Sequence, residues 1–234
     1  MLDKAFEALQ TLDWGAELKP LEPIDAAIVA SHADPAVQKD LESRLVATLK
    51  SDAPRDAKDY ACRKLMIVGT AAAVPTLAEF LPQEKHSHMA RFALERIPAT
   101  EAATALRDAL AKVNGKLKVG VITSIGARHD AASVPALSSL LADTDESIVR
   151  AAATALGDIA TAEAAKALAD LKPAGAAAKS AATDARLACA EALLAAGNKA
   201  EALAIYKSFA AGDQPKHIKL AGTRGMLAVA GKKD

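Results

Sequence analysis

The sequence predicts an all-α protein and, more narrowly, a right-handed α-solenoid, a superhelix of stacked helical pairs. Half of the 234 residues are apolar but only 3% are aromatic, and alanine, the best helix former, recurs throughout. β-branched and aromatic residues do not form the alternating runs that predict strands. A cation-helix-turn-helix unit recurs about every 31 residues. Composition and period together favour stacked helices.

Each repeat opens with a cation, continues as an apolar helical run and ends in a second helix rich in leucine and alanine. The leading cations are Arg63, Arg91, Lys118, Arg150, Arg186 and Lys219. Two helices of ~11 to 13 residues with short turns need about 30 residues. One pair cannot bury its apolar faces alone, so stacked pairs share a continuous core. We expect about five pairs and an incomplete sixth in residues 55–234.

The first 54 residues depart from this repeat and predict an atypical N-terminal helical cap. The segment "DKAFEALQTL" reads as a short helix, and Pro23 and Pro35 stand where helices begin, the second with Asp34 as its cap. A terminal unit must cover an open apolar end. We therefore expect Trp14 to pack inside this cap.

Proline and glycine mark the turns inside the repeats. Pro75 and Pro135 each follow a valine where a second helix should begin. Gly69, Gly126 and Gly197 fall at the ends of first helices. Glycine at such positions accepts the left-handed conformation that closes a helix, so we expect a left-handed cap at each.

Two further local predictions concern the fourth and fifth repeats. Asp143, Asp145 or Ser147 can cap the helix that runs through Arg150. The segment "KPAGAAAKSAATDA", residues 172–185, makes its repeat the longest. We interpret it as an enlarged loop with a helical turn.

The stretch "DTDESIVRAAATALGDIATAEAAKALADL" resembles the HEAT-like repeat of the phycobilisome-lyase type. That pattern has an acidic turn, a Val-Arg pair, an alanine-rich helix ending near Leu-Gly, and a second helix. The matching positions are Asp143, Val149, Arg150, Ala153, Leu156 and Gly157. The resemblance covers the chain from about residue 55, and "HSHMARFALERIP" is similar to large bacterial HEAT-repeat proteins. It implies an armadillo-like helical fold and a polar ladder between repeats, here Arg63, Arg91, Asp143, Arg150 and Arg186.

The stretch "EKHSHMARFALERIP", residues 84–98, has the side chains of a metal site but not their spacing. His86 and His88 are two apart, which on a helix points them to different faces. Helical metal sites more often use pairs four apart. We interpret the stretch as a junction between repeats, with Ser87 as a helix cap and both histidines at the surface or capping.

No catalytic, cofactor or metal site is predicted. Cys62 and Cys189 lie outside any CxxC or CxxCH pattern, so we expect two buried, reduced thiols rather than a zinc or haem site. They fall in different repeats, too far apart for a disulfide. A phosphate-binding loop, a GxSxG motif and a paired-carboxylate site are all missing from the sequence.

Charge and hydropathy limit the partners. The chain has 29 basic and 29 acidic residues, and this balance argues against nucleic acid or an anionic membrane as the main partner. The basic stretches at 112–118 and 215–219 lack aromatics and read as solvated turns. We expect a soluble, cytoplasmic protein, or a periplasmic or secreted one if a signal preceded Met1.

We therefore expect a non-catalytic scaffold that presents its concave face, lined by second helices, to a protein partner. The candidate surface positions are polar or amphipathic residues of those helices: Glu79, Arg107, Asp108, Lys166, Asp170, Tyr206 and Lys207. Two alternatives stay open. The resemblance also allows an enzyme or subunit of the bilin-lyase type that binds a tetrapyrrole-like ligand, and a nucleic-acid-binding HEAT-like protein.

The last repeat shows only a first helix, in "HIKLAGTRGMLAVAG". Gly222 and Gly225 are expected to weaken it. We expect an open or partly open C-terminal edge, covered by another chain or by a downstream segment.

Overall fold

The computed structural model describes residues 1–170, 175–211 and 214–231, and this part of the chain contains helices and turns but no strand. The prediction of an all-α protein is confirmed. The N-terminal helices are α1 (Leu2–Leu9), α2 (Glu22–Ser31) and α3 (Pro35–Lys50). The paired helices are α4 (Arg55–Val68) and α5 (Val74–Ala78), α6 (Ser87–Arg96) and α7 (Thr100–Leu110), α8 (Gly115–Ala127) and α9 (Val134–Leu140), α10 (Glu146–Ile159) and α11 (Ala162–Asp170), and α12 (Ala176–Ala195) and α13 (Lys199–Ala211). Helix α14 (Lys216–Gly231) follows.

The six leading cations all lie on α4, α6, α8, α10, α12 and α14, the first helices of the predicted repeats. The helices form two compact units, Met1–Ser124 and Ile125–Asp234. The predicted division into a cap at residues 1–54 and a repeat array from residue 55 stays a prediction.

Helices of each unit stack like with like. In the first unit α4 packs on α6, and the second helix α5 packs on α7. In the second unit α10 packs on α12, and α9 packs on α11. This is the arrangement of an α-solenoid, and it confirms the predicted fold class. Leucines fill the core between the layers, for example Leu65, Leu94, Leu106, Leu137 and Leu156, all fully buried.

Local caps explain where several helices begin. Proline stands in the first turn of α2, α3, α5 and α9, where its missing N–H costs nothing. Asp34 Oδ1 accepts a hydrogen bond from the Ala36 N–H at 2.8 Å. Asp145 caps α10 by accepting from the Ser147 N–H at 2.8 Å. The predicted caps Asp34 and Asp145 are confirmed.

The left-handed glycine caps are confirmed at one position of three. Gly197 has φ +87°, but Gly69 ends α4 at φ −68° and Gly126 lies inside α8. The left-handed residues after α8 and α10 are His129 and Ala160. The helices end where the chain must turn toward its pair, and that point is set by packing between helices.

Residues 176–185 belong to α12, so the predicted enlarged loop is wrong there; residues 172–174 lie outside the described part. Alanine is the best helix former, and nothing after Gly175 breaks the helix. Ala178, Ala182 and Ala185 recur at helical spacing and are buried. They extend the apolar face of a 20-residue helix.

The prediction that Trp14 packs in the N-terminal cap is also wrong, because the side chain is 92% exposed. It lies in the turn after α1. Leu9, Leu12, Leu21 and Ile24 already fill the interior of this region and are buried. The apolar interior of this region is thus built from aliphatic side chains, and the indole stays in solvent.

Candidate functional site

A groove runs between the second helices α5 and α7 of the first unit, with a volume of about 510 Å³. Its apolar lining includes Val74, Pro75, Ala78, Leu81 and Val113. Because α5 is only five residues long, it covers little of the longer α7. Ala105 and Ala109, four residues apart on α7, also line the groove. Their short side chains leave the space open.

Carboxylates stand at the rim of this α5–α7 groove. Glu101 and Asp108 line it and are exposed, and the cation Lys112 lines it as well. These three residues sum to one negative charge. Asp108 was predicted from the sequence as a surface position. The other candidates of this unit are placed differently: Glu79 is exposed just after α5, and Arg107 is half-buried and donates to Thr104 Oγ1 of its own helix at 2.9 Å.

A second groove, of about 300 Å³, lies between α11 and α13 in the second unit. Ala165, Leu193 and Ile205 are among its apolar residues. Its charged residues are Lys166, Glu201 and Arg186, the last reaching it from α12. Helix α12 packs against both α11 and α13, which is how its side chains reach the groove between them.

The candidates of the second unit divide into exposed and buried positions. Lys166, Asp170 and Lys207 are exposed on α11 and α13. Tyr206 is only 4% exposed, so its prediction as a surface residue is wrong. Helix α13 packs against both α12 and α14, and the ring of Tyr206 faces Gly225 of α14. Because α13 is covered by a neighbouring helix on two sides, it buries residues that were predicted to be exposed on the assumption of a single buried face.

Arg91 is the ladder candidate with the most developed contacts. Its Nη1 donates to the Gly120 carbonyl at 2.9 Å and to Ser124 Oγ at 3.2 Å, which links α6 to α8. Ser124 in turn donates to Glu95 Oε1 at 2.7 Å. The sequence analysis did not predict a role for Ser124 or Glu95. For Glu95 a signal was present, because Arg91 and Glu95 are four residues apart and therefore lie on one face of α6.

The other ladder candidates have separate roles. Arg63 and Arg150 are exposed, and Asp143 accepts from the Asp145 N–H at 2.9 Å. Arg186 contacts its own pair rather than the next one, through Ser208 and Phe209. A repeated polar ladder stays a prediction.

Residues 84–98 form a junction, as predicted: a turn leads into α6, which occupies most of the stretch. His86 is half-buried with its ring centroid 5.2 Å from that of Phe80, and His88 is exposed. Burial, with Lys58 nearby, lowers the pKa of His86. The prediction of Ser87 as the cap is wrong: Ser87 is the first residue of α6 and is 1% exposed, with no side-chain cap bond. A cap at Ser87 would require α6 to begin at His88, but the helix begins at Ser87 and His86 takes the cap position. The Ser87 side chain therefore packs inward.

Within the described ranges, no group of three or more His, Cys, Asp or Glu side chains is placed to hold a metal ion. None of the helices in those ranges combines the length and the apolar character needed to cross a membrane. Cys62 and Cys189 are both free and buried, as predicted.

Helix α14 presents two exposed leucines, Leu220 at 49% and Leu227 at 68%. They are seven residues apart and therefore lie on one face of the helix. Coverage of this C-terminal edge by another chain or by a downstream segment stays a prediction.

A protein-family model described as HEAT repeats matches residues 103–193. Residues 103–193 are HEAT repeats. The match begins in α7 and ends in α12, and it confirms the resemblance drawn from Asp143 to Gly157. The helical pairs of both units outside this match stack like with like as well. No curated protein sequence matches the chain.

Among solved structures, human deoxyhypusine hydroxylase in complex with glycerol is similar at 18% identity and a TM-score of 0.45, over 81% of this chain and 96% of that one. An engineered protein is similar at 20% identity and a TM-score of 0.43, over 81% of this chain and 96% of its own. A second engineered protein is 19% identical with a TM-score of 0.41, over 98% of this chain and 63% of that chain. Likeness at this level transfers no activity to the chain.

Proposed function

We propose that the protein is a non-catalytic protein-binding module, and that a segment of its partner lies in the α5–α7 groove. The observation that carries the proposal is an open groove of about 510 Å³ with an apolar lining and exposed carboxylates at its rim. Grooves of this kind accept apolar side chains projecting from a helix or an extended peptide. The partner is therefore expected to carry apolar anchor residues flanked by basic ones.

Apolar burial should supply most of the affinity. Complete burial of one leucine or valine side chain contributes about 1.5–3 kcal/mol. A lysine or arginine opposite Glu101 or Asp108 adds only about 0.2–1 kcal/mol, because both carboxylates are exposed and screened. The charges instead favour basic segments over acidic ones and speed association. Few interface residues carry most of the binding energy, so one filled position can abolish binding.

The test is site-specific photo-crosslinking in cells that express the chain. A benzoylphenylalanine at Ala105, which lines the groove, should crosslink one protein reproducibly. The same group at Lys39, exposed on α3, should not crosslink that protein. A partner captured equally from both positions would refute the assignment to this groove.

The crosslinked partner, once purified, gives a quantitative test. Ala105→Trp fills the groove and should weaken binding at least tenfold, which corresponds to about 1.4 kcal/mol. Lys39→Trp adds the same bulk elsewhere and should leave the affinity unchanged. Circular dichroism checks that both variants are folded. Unchanged affinity in a folded Ala105→Trp variant would overturn the proposal.

A further inference from the structure

Arg186 is a half-buried cation whose ring and hydrogen-bond partners are neutral. Its guanidinium lies over the ring of Phe209, 4.7 Å from the centroid. Its Nη2 donates to Ser208 Oγ at 2.9 Å, and Ser208 donates to the Ile205 carbonyl at 2.7 Å. Its Nε is buried without a hydrogen-bond partner. Within the described ranges, none of the ion pairs involves Arg186.

The surroundings do not compensate this charge in other ways. Burial lowers the pKa of Arg186, but a guanidinium stays charged at neutral pH. The adjacent thiol of Cys189 does not offset the charge, because burial raises the pKa of that thiol to about 11. A buried charge without a counter-charge is costly, and most are paired. Arg186 therefore has room for an anionic partner that the described residues of its own chain do not supply.

Arg91, at the same position of its repeat, also has a buried Nε without a partner, but an acid is linked to its guanidinium. Its guanidinium binds a carbonyl and Ser124, which is bonded to Glu95 four residues along the same helix. Four residues after Arg186 the chain has Ala190 instead of a carboxylate. The second unit thus keeps the cation but lacks the acid that accompanies it in the first.

The Arg186 side chain also lines the α11–α13 groove, and this makes it accessible to a ligand. Lys166, exposed on α11, lines the same groove. Glu201 is the only acid among the lining residues in the described part of the chain, so the lining carries one net positive charge. Leu193, Ile205 and Ala165 supply an apolar surface beside the two cations.

We propose that the α11–α13 groove binds an acidic side chain of a partner polypeptide, with Arg186 and Lys166 as its anion-binding groups. The planar guanidinium matches the two oxygens of a carboxylate. Leu193 and Ile205 contact the methylene stem and the neighbouring apolar residue. Glu201 repels any anion in the groove, and a dianion such as phosphate about twice as strongly as a carboxylate, because the repulsion scales with charge. The proposal shares with the proposed function the premise that a polypeptide is bound, but it uses a separate groove.

The first experiment follows the Nε–Hε resonance of Arg186 by nitrogen-15 NMR. The probe is the capped peptide acetyl-Ala-Leu-Glu-Leu-Ala-amide, and its glutamine analogue is the matched control. The glutamate peptide should move the Arg186 resonance saturably while the Arg91 resonance stays in place. The glutamine peptide should bind at least fivefold more weakly. Equal shifts with both peptides, or no saturable shift, would overturn the proposal.

Two variants tie the response to the groove. Lys166→Gln, at an exposed position that keeps the fold, should weaken the glutamate peptide several-fold. Lys207→Gln removes the same charge from α13 outside the groove lining and should change nothing. Equal losses in both variants would mean a general charge effect and would refute the site. Arg186→Gln should abolish the response, with its folding checked separately.

Two further probes separate the alternatives. Sodium butyrate carries the same carboxylate without a polypeptide, and affinity equal to that of the peptide would overturn the polypeptide assignment. Inorganic phosphate that binds as tightly as the peptide would overturn the carboxylate assignment. These results leave the proposed function intact if Ala105→Trp still blocks the α5–α7 groove. Loss of the Ala105 crosslink with a preserved Arg186 response would refute the proposed function alone.

Discussion

Gly225 of α14 lies directly against the ring of Tyr206 in α13, so closely that a β-carbon at this position would overlap the ring atoms. Gly222, one turn earlier, approaches the Tyr206 carbonyl and the Phe209 side chain in the same way. Both glycines are buried within the described residues. The sequence suggested that they weaken the helix; in the folded protein they allow α14 to pack closely on α13.

Replacing Gly225 with alanine should therefore destabilise the protein despite the better helix propensity of alanine. The ring of Tyr206 is buried and cannot move aside, so α13 and α14 must separate. We expect a loss of about 1–3 kcal/mol in the free energy of unfolding, measured by urea denaturation. Gly231→Ala in the same helix, with nothing within 4 Å, should not destabilise. A stable Gly225→Ala variant would contradict the close approach.

Glu42 should contribute strongly to stability although it is charged and only 5% exposed. Its Oε1 accepts from the Thr70 N–H at 2.6 Å and from the Ala73 N–H at 3.2 Å, which joins α3 to the turn after α4. Glu42→Ala removes the acceptor of the Thr70 N–H and leaves the Ala73 N–H with only the Thr70 carbonyl at 3.2 Å. We expect a loss of about 1–3 kcal/mol in the free energy of unfolding. Glu79→Ala, at an exposed position, should stay within about 0.5 kcal/mol of the parent protein in the same denaturation experiment.

Arg91, Ser124 and Glu95 should behave as one coupled network. Ser124 is fully buried and joins the guanidinium to the carboxylate. We expect Ser124→Ala and Glu95→Gln to be non-additive, with a coupling energy of about 0.5–3 kcal/mol in a double-mutant cycle. Arg91→Gln should lower stability without changing the peptide response of Arg186. Additive single effects would show that Ser124 and Glu95 are not coupled.

His86 should make stability depend on pH below neutrality. Burial lowers its pKa from 6.5, Lys58, Lys85 and Arg55 lower it further, and only Asp59 opposes them. His86 binds a proton less readily in the folded state than in the unfolded chain. The contribution of neutral His86 to the free energy of unfolding is therefore complete above about pH 6.5 and is lost as the pH falls through the pKa of the folded state. Urea denaturation between pH 5 and 7 should show this loss.

Two variants test whether His86 causes this dependence of the unfolding free energy on pH. His86→Gln should flatten the dependence of the unfolding free energy on pH. Lys58→Gln should also reduce this dependence, because Lys58 is the cation that lowers the pKa of His86 most and its removal lets His86 accept a proton more readily. An unchanged slope in His86→Gln would assign the dependence to other groups.

The two thiols should be unreactive until the protein unfolds. Burial raises the pKa of Cys62 to about 12 and that of Cys189 to about 11, so neither forms the thiolate at pH 8. Ellman's reagent should detect no thiol in the native protein and both after denaturation. Failure to detect any thiol in denaturant would indicate a disulfide and contradict the prediction from the sequence.

The sequence by itself determined the all-α class, several helix starts and the repeat period, although it missed the first half of α12. Pro35 and Asp34 start α3 through contacts within four residues, so the rule that predicts them is local. The leading cations recur because each helical pair needs about 30 residues. This period stays recognisable even where single residues differ between repeats. For the same reason the HEAT-like character was visible in the segment from Asp143 to Gly157.

Only the tertiary structure decided which side chains are exposed and which charges are paired. In alanine-rich helices small residues occur on every side, so the pattern does not say which faces meet a neighbour. Tyr206 is buried because α14 covers α13, and Trp14 is exposed because aliphatic side chains already fill the cap. Arg91 and Arg186 are equivalent in the repeat, yet only Arg91 has a carboxylate-linked partner. These differences arise from contacts between helices that are distant in sequence, so a local stretch of sequence cannot predict them.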